Sequence, residues 1–444
     1  MSFPRYPEYK DSGAAWLGQV PSHWSVIRTR WLCQIQKRIV GELGYDVLSI
    51  TQQGIKVKDI DSNDGQLSMD YSKYQLVEVG DFAMNHMDLL TGYVDIATTR
   101  GVTSPDYRVF SIRDRSRVLD KYLLYLFQSC YHDKVFYAFG QGSSQFGRWR
   151  LPTENFNDFV VPLPSRDEQL AVVNLLDAEL AKIDALVAEQ EQLITLLKEK
   201  RQAVISHAVT KGLDPSVPMK DSGVEWLGEV PAHWEVKALK FVATVQTGVA
   251  KGKDNKGKET VVVPYLRVAN VQDGYLALDD MAEIEIPSSD LPRYLLRSGD
   301  VLMNEGGDFD KLGRGHVWRA EIEPCIHQNH VFAVRPHSVA PEWLNTVTSS
   351  SYAQFYFMSR SKQSTNLASI SSTSIMDLPV VLPPSSEQAQ LLTFLEGSTA
   401  QLQSLIEEAV LSIELLRERR SALISAAVTG QIDVRDLAAD KEAA

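Results

Sequence analysis

LDAELAKIDALVAEQEQLITLLKEKRQAVISHAVT, Leu176 to Thr210, carries Leu176, Leu180, Ile183, Val187, Gln190, Ile194, Leu197, Arg201, Val204 and Ala208 in alternating steps of four and three. This is a heptad seam with two polar interruptions, the pattern of a helix that packs along a second helix. LEGSTAQLQSLIEEAVLSIELLRERRSALISAAVT, Leu395 to Thr429, writes the seam again. Adding 219 to each position gives Leu395, Thr399, Leu402, Ile406, Ala409, Ile413, Leu416, Arg420, Leu423 and Ala427, so the arginine recurs as well.

Pro164 and Pro384 mark where each helix can begin but not extend backward, and Ser165 or Ser385 is placed to cap the first turn. Roughly 42 helical residues at 1.5 Å each make a rod about 60 Å long, and one rod cannot bury its apolar stripe by itself. A single stripe of this kind usually covers its own domain. Two of matched length and seam predict an antiparallel pair.

Two further segments are duplicated. KDSGAAWLGQVPSHWSV, Lys10 to Val26, returns as KDSGVEWLGEVPAHWEV, Lys220 to Val236, with twelve of seventeen positions identical. VVPLPSRDEQ from Val160 returns as VVLPPSSEQ from Val380 and leads into each helix. Between motif and rod, residues 27–159 and 237–379 read as mixed and strand-rich, with runs such as DVLSI, YRVFSI, TVVVPYLRV and HVFAVRP, and helices at Lys121 to Ser129 and Pro341 to Tyr356. These two stretches share little beyond a skeleton, Gly80-Asp81 through Asn85 against Gly299-Asp300 through Asn304.

The expected fold is α+β: two mixed α/β domains, 1–165 and 213–384, separated by two long antiparallel coiled-coil helices, 166–212 and 385–430, with a tail 431–444 and an internal pseudo-two-fold repeat. Motifs that stay alike while the domains after them diverge are expected to be joints, packing each domain against the rod ends or a partner.

The net charge of −12 is spread unevenly. Residues 1–165 hold 18 basic and 18 acidic side chains, so the acidity sits mainly in the rods and tail and leaves the domains free to carry local basic patches. No stretch is apolar enough to span a membrane, and MSFPRYPEYKDSG at the start lacks signal-peptide character, which predicts a cytoplasmic protein. Cys33, Cys130 and Cys325 are odd in number and far apart, and are expected to be reduced and buried.

Three kinds of segment look like recognition surface. KGKDNKGK, Lys251 to Lys258, suits phosphates or serves as an ordinary solvated loop. TQQGIKVK (Thr51 to Lys58), GQGSSQFGRWR (Gly140 to Arg150) and SRSKQSTN (Ser359 to Asn366) collect side chains that pair with base edges but that are also common in loops. GGDFDKLGRG, Gly306 to Gly315, places Lys311 and Arg314 among glycines that permit close approach.

Catalytic signatures are missing from the sequence. It has no G-x-x-x-x-G-K-[ST], no G-x-G-x-x-G opening a helix, and no Asn-Pro-Pro-aromatic tetrapeptide of the amino-methyltransferase type. In CIHQNH, Cys325 to His330, strand alternation sends the two histidines to opposite faces, against a metal site. His207, on a rod, has no nucleophile nearby in sequence.

W-L-G-x-V-P-x-H-W before each variable stretch, the Gly-Asp elements within it, and the P-x-x-x-E-Q entry to a long helix ending in A-V-T resemble the specificity (S, or HsdS) subunits of type I restriction-modification systems, over essentially the whole chain. The resemblance implies a non-catalytic DNA-recognition subunit. Each target-recognition domain would read half of a bipartite, asymmetric site, and the helix pair would set the spacer and dock two modification (M) subunits. It implies no cofactor on this chain: S-adenosylmethionine belongs to the M subunits, and ATP and Mg to restriction (R) subunits. By position, the DNA contacts it implies are Gln52, Gln53, Lys56, Gln145, Arg148 and Arg150 in the first domain. In the second they are Lys251, Lys253, Asn304, Lys311, Arg314, Gln363, Ser364 and Asn366. The competing reading is a non-enzymatic coiled-coil scaffold carrying two protein- or ligand-binding domains.

Overall fold

The structure is a computed structural model describing residues 3–59, 71–143, 148–252, 256–307, 312–313, 315–364 and 367–435. The chain divides into two compact units, residues 1–190 with 411–444, and residues 191–410. Each unit therefore owns one mixed domain and a part of both long helices, Arg166–Lys211 and Ser385–Val428.

In the first unit, Leu176, Leu180 and Ile183 of one long helix share a buried cluster with Leu423, Ala427 and Val428 of the other, and Val187 and Leu416 pack against it. Arg420 forms an ion pair with Asp184 across the pair. In the second unit Leu197, Leu402 and Ile406 cluster with Ile194, while Ile205 and Ala208 join Leu391 and Leu395. Early residues of one helix thus meet late residues of the other, and within each unit the helices run antiparallel. Ile413 is buried too. At roughly 1.5–3 kcal/mol per buried aliphatic side chain, this seam is a major stabilising term in both units.

The helix starts differ in one detail. Ser165 and Glu168 form a capping box, Ser165 Oγ accepting from Glu168 N and the Glu168 carboxylate accepting from Ser165 N. In the second helix Ser385 is already the first helical residue, so Pro384 occupies the cap position and its carbonyl accepts from Glu387 N and Gln388 N.

Each domain is built on a four-stranded antiparallel sheet of the same order. In the first, Cys33–Gln36, Arg108–Ile112, Phe82–Met84 and Val94–Ile96 lie side by side; in the second, Ala243–Thr247, Val331–Pro336, Val301–Asn304 and Gly315–Val317. A helix, Asp120–His132 or Pro341–Thr348, contributes fully buried side chains to the core beside each sheet. The second domain adds a three-stranded sheet, Ala282–Pro287, Thr260–Leu266 and Ile326–His327. The single helix expected over Pro341 to Tyr356 is two, because the Ser350 hydroxyl accepts from Ala353 N and caps a new helix, Ser351–Arg360.

The Gly-Asp skeleton has a structural role. Gly80 (φ +86°) and Gly299 (φ +93°) turn the chain into a central strand through a conformation that side chains rarely adopt. The Asp81 carboxylate then accepts from Glu78 N and Arg38, and that of Asp300 from Arg297 N and Arg335, the last through two 2.7 Å bonds. Asp300 is 1% exposed, so removing its charge takes from the half-buried Arg335 the carboxylate that accepts two of its bonds. Asp300→Asn is expected to cost about 3–5 kcal/mol of stability, measured by urea unfolding.

The repeated tryptophan motif is a joint in both units. Trp24 is fully buried and donates from Nε1 to Glu168 at the start of the first long helix (3.2 Å); Trp234 does the same to Glu387 at the start of the second (3.0 Å). The other helix ends on the same indole. Gly430 (φ +78°) lies where a Cβ would come within 3.0 Å of Trp24 and 2.4 Å of Pro21, and Gly212 (φ +75°) where one would come within 3.3 Å of Trp234. The motif's second tryptophan faces the domain: Trp16 stacks on Phe159 at 5.1 Å and Trp226 on Tyr352 at 5.9 Å. The tail continues this packing as far as it is described, with Ile432 and Val434 buried and Asp433 N bonded to Pro4 O.

Burial raises the Glu168 pKa, but hydrogen bonds from His23, Trp24 and Ser165 outweigh it and hold the carboxyl below its ordinary 4.5. A depressed folded-state pKa contributes stability that is full above that ordinary value and is lost as pH falls through the folded value. Glu168→Gln is expected to flatten the acid limb of the stability curve below about pH 4.5, followed by urea unfolding at stepped pH.

Candidate nucleic-acid interface

Short hairpins project the polar segments. In the first domain Leu48–Thr51 pairs with Gly54–Val57, register Thr51↔Gly54, which puts Gln52 and Gln53 at the turn and Lys56 on the returning strand, all exposed. Gln141–Ser143 pairs with Arg148–Arg150, so Arg148 and Arg150 occupy a returning strand; Arg150 is exposed. The turn at 85–92 joins the two hairpins: Gln52 Nε2 donates to Thr91 O (3.4 Å), and Leu89 N to Trp149 O (3.1 Å). Gln52 and Arg150 are thereby drawn to one side of the domain.

Beneath Arg150 lies a group that the sequence did not reveal. Arg108 is 4% exposed, and its guanidinium stacks over Phe156 at 4.6 Å and donates to Leu151 O at 2.9 Å, without a carboxylate partner among the described residues. Burial lowers its pKa to about 10, which leaves it charged at neutral pH. His86, nearby, is pushed to about 3 by burial and by the charges of Arg108 and Arg150, so it is neutral. Arg108 anchors the chain directly after the hairpin. An arginine inside the apolar run RVFSI gives no sign of this, because its burial depends on tertiary packing.

In the second domain Lys362–Ser364 pairs with Leu367–Ser369, which in turn pairs with Gly306–Gly307. This brings the exposed Gln363 and the Ser364 position into one small sheet with the start of the glycine-rich segment. Lys251 is exposed at a separate place, a cavity bordered by Ile284, Ile286 and Tyr294. Gln145, Lys253, Lys311, Arg314 and Asn366 lie outside the described residues.

Asn304 must be withdrawn from the contacts. It is fully buried on the central strand Val301–Asn304, and its amide donates to Val271 O at 2.9 Å. Strand alternation at that position turns it into the protein, where it ties a loop to the sheet.

His327 is buried and bonded through Nδ1 to Val331 O, whereas His330 is exposed and paired with Glu305. Among the described residues no group of three His, Cys, Asp or Glu side chains is placed to hold a metal ion. The three cysteines are free and buried, and burial lifts the Cys33 and Cys325 thiols to about 12. No helix among the described residues is long and apolar enough to cross a membrane.

The fold and its projecting hairpins define a class: α+β chains in which two mixed domains are built onto a pair of long helices. The match within that class is to the type I restriction enzymes. The chain is 26% identical over 282 residues to the EcoKI specificity subunit of Escherichia coli, covering 63% of this chain and 59% of that one. It is 25% identical over 201 residues to MjaX, a specificity subunit inferred for Methanocaldococcus jannaschii, covering 45% and 46%. The matches thus span about half the length of these curated relatives. Among solved structures, a chain from a type I R-M system superposes with a TM-score of 0.65 at 16% identity, over 93% of this chain and 99% of that one. The HsdS subunit of Thermoanaerobacter tengcongensis gives 0.50 at 16%, over 93% and 98%. No protein-family model matches. The chain is thus similar, over part of its length, to type I restriction-enzyme specificity subunits.

Proposed function

We propose that the chain is the non-catalytic DNA sequence-specificity subunit of a type I restriction-modification complex in the cytoplasm. The observation that carries this reading is the similarity to named specificity subunits, which for the EcoKI subunit extends over 282 residues. The domains read the two halves of a bipartite, asymmetric site. The long helices form a coiled coil within an internal pseudo-two-fold repeat, set the spacer between the half-sites and dock two M subunits. S-adenosylmethionine is bound by the M subunits, and ATP and Mg by R subunits that join them. The exposed Gln52, Gln53, Lys56 and Arg150, together with Arg148 and Gln145, serve the first half-site. Lys251, Lys253, Lys311, Arg314, Gln363, Ser364 and Asn366 serve the second.

The acidity of the chain fits this division, since an M subunit can supply much of the contact to phosphates. Fluorescence anisotropy is expected to show weak binding of duplex DNA by the chain alone. With its M subunit, binding is expected to be tight and to weaken steeply with salt, by about 10³-fold or more between 50 and 200 mM. Tight, sequence-specific binding by the chain alone would contradict the proposal.

A further inference from the structure

The turn that follows the tryptophan motif is built twice on the same plan. In the first unit it is the short helix Thr29–Leu32, in the second Leu239–Phe241. The motif's offset of 210 carries through it, because equivalent hydrogen bonds hold both sides of the turn. Thr29 N donates to Phe159 O (2.8 Å) and Leu239 N to Leu378 O (2.9 Å). Arg113 N donates to Leu32 O (2.8 Å) and His337 N to Val242 O (2.9 Å).

This anchoring decides what points outward. Thr29 and Leu32 are buried, as are Leu239 and Val242, and positions three apart on a helical turn share a face. The residues between them therefore turn to solvent. Trp31 in one unit and Phe241 in the other are 67% and 65% exposed, the two most exposed aromatic side chains among the described residues. A lone exposed ring is ordinary on a protein surface. Two at one equivalent position are not, since the domains that follow share little sequence and neither core uses the ring.

The surroundings match as well. Arg30 pairs with Asp158 in the first unit, and Lys240 with Asp377 at 2.8 Å in the second. The other cations of these turns are occupied. Arg28 also meets Asp158 (3.5 Å), Arg113 donates to Arg30 O and Cys33 O (both 3.0 Å), and Lys237 pairs with Glu235 (2.5 Å). A DNA backbone calls for free cations. An exposed aromatic fringed by satisfied ion pairs is instead the make-up of a protein–protein anchor, a ring for an apolar socket with a polar rim that excludes water.

We propose that Trp31 and Phe241 are the anchors by which each unit holds one copy of the same protein partner. A surface used twice, once per unit, takes an occupant present in two copies; on the reading of the chain as a specificity subunit, on which this rests, that occupant is the M subunit. Each M subunit carries an apolar socket for one ring, bordered by groups that hydrogen-bond the Arg30–Asp158 or the Lys240–Asp377 pair. This contact adds to its hold on the long helices.

Native mass spectrometry of the full chain with its M subunit over a concentration series tests this. Two copies are expected on the native chain. Trp31→Ala and Phe241→Ala should each leave one copy bound as before and weaken the other at least about thirty-fold, the effect of losing one hot-spot aromatic. The double variant should be weakened at both, with the urea midpoint of every variant unchanged. Trp31→Phe, which supplies the ring of the second unit, should keep both copies. Two copies held undiminished by the double variant, or both lost from a single variant, would overturn the proposal. So would intact M binding with loss of duplex binding, which makes the rings DNA contacts, or self-association of the chain alone that the double variant abolishes, which makes the occupant a second copy. Those results leave the DNA-specificity reading standing, whereas a native chain that holds no M subunit would overturn both.

Discussion

Trp24→Ala is expected to destabilise the unit that contains it by about 3–5 kcal/mol, the range for emptying a fully buried tryptophan site. The indole is enclosed from three directions: Glu168 receives its N–H, Pro21 and Gly430 close on the helix end, and Tyr6 meets its ring edge-on at 5.8 Å. Truncation leaves both a cavity and a carboxylate lacking one of its donors. Trp31 is the control. It lies just beyond the motif and is 67% exposed, so Trp31→Ala should stay within about 0.5 kcal/mol. Urea unfolding of the two variants separates the cases, and equal small effects would remove the joint from the account.

Arg150→Ala is expected to lower methylation at the recognised site about 10- to 100-fold when the chain acts with its M subunit, the loss of one good side chain–base contact of 1–3 kcal/mol. Because Arg150 is exposed at the end of a hairpin strand, folding stability should be unchanged within about 0.5 kcal/mol. Arg108→Ala should behave differently, lowering methylation together with stability, since its guanidinium holds Leu151 O and fills space over Phe156. Methylation rate and urea midpoint measured on both variants distinguish a reader from an anchor. Unchanged methylation in Arg150→Ala would remove it from the interface.

The long helices were readable because helical periodicity is local: a seam in steps of four and three, uninterrupted by proline, needs no knowledge of the partner. The hairpin turns were readable for a similar reason, since Gln52-Gln53-Gly54 is turn chemistry between two β-branched runs. What escaped the sequence was set by tertiary contacts. Asn304 looks like a loop residue because two glycines follow closely, yet the sheet order puts it inside. The break at Ser350 depends on one side-chain cap within an otherwise helical stretch.

The central claim is that this chain chooses a DNA sequence through two separate domains. The most direct test co-expresses it with a partner adenine methyltransferase subunit and maps methylated adenines across a genome, for the native chain and for one whose residues 27–159 are replaced by those of a relative. A bipartite motif, with only one half altered by the replacement, is the predicted result. No motif, or a replacement that alters both halves, would contradict the account.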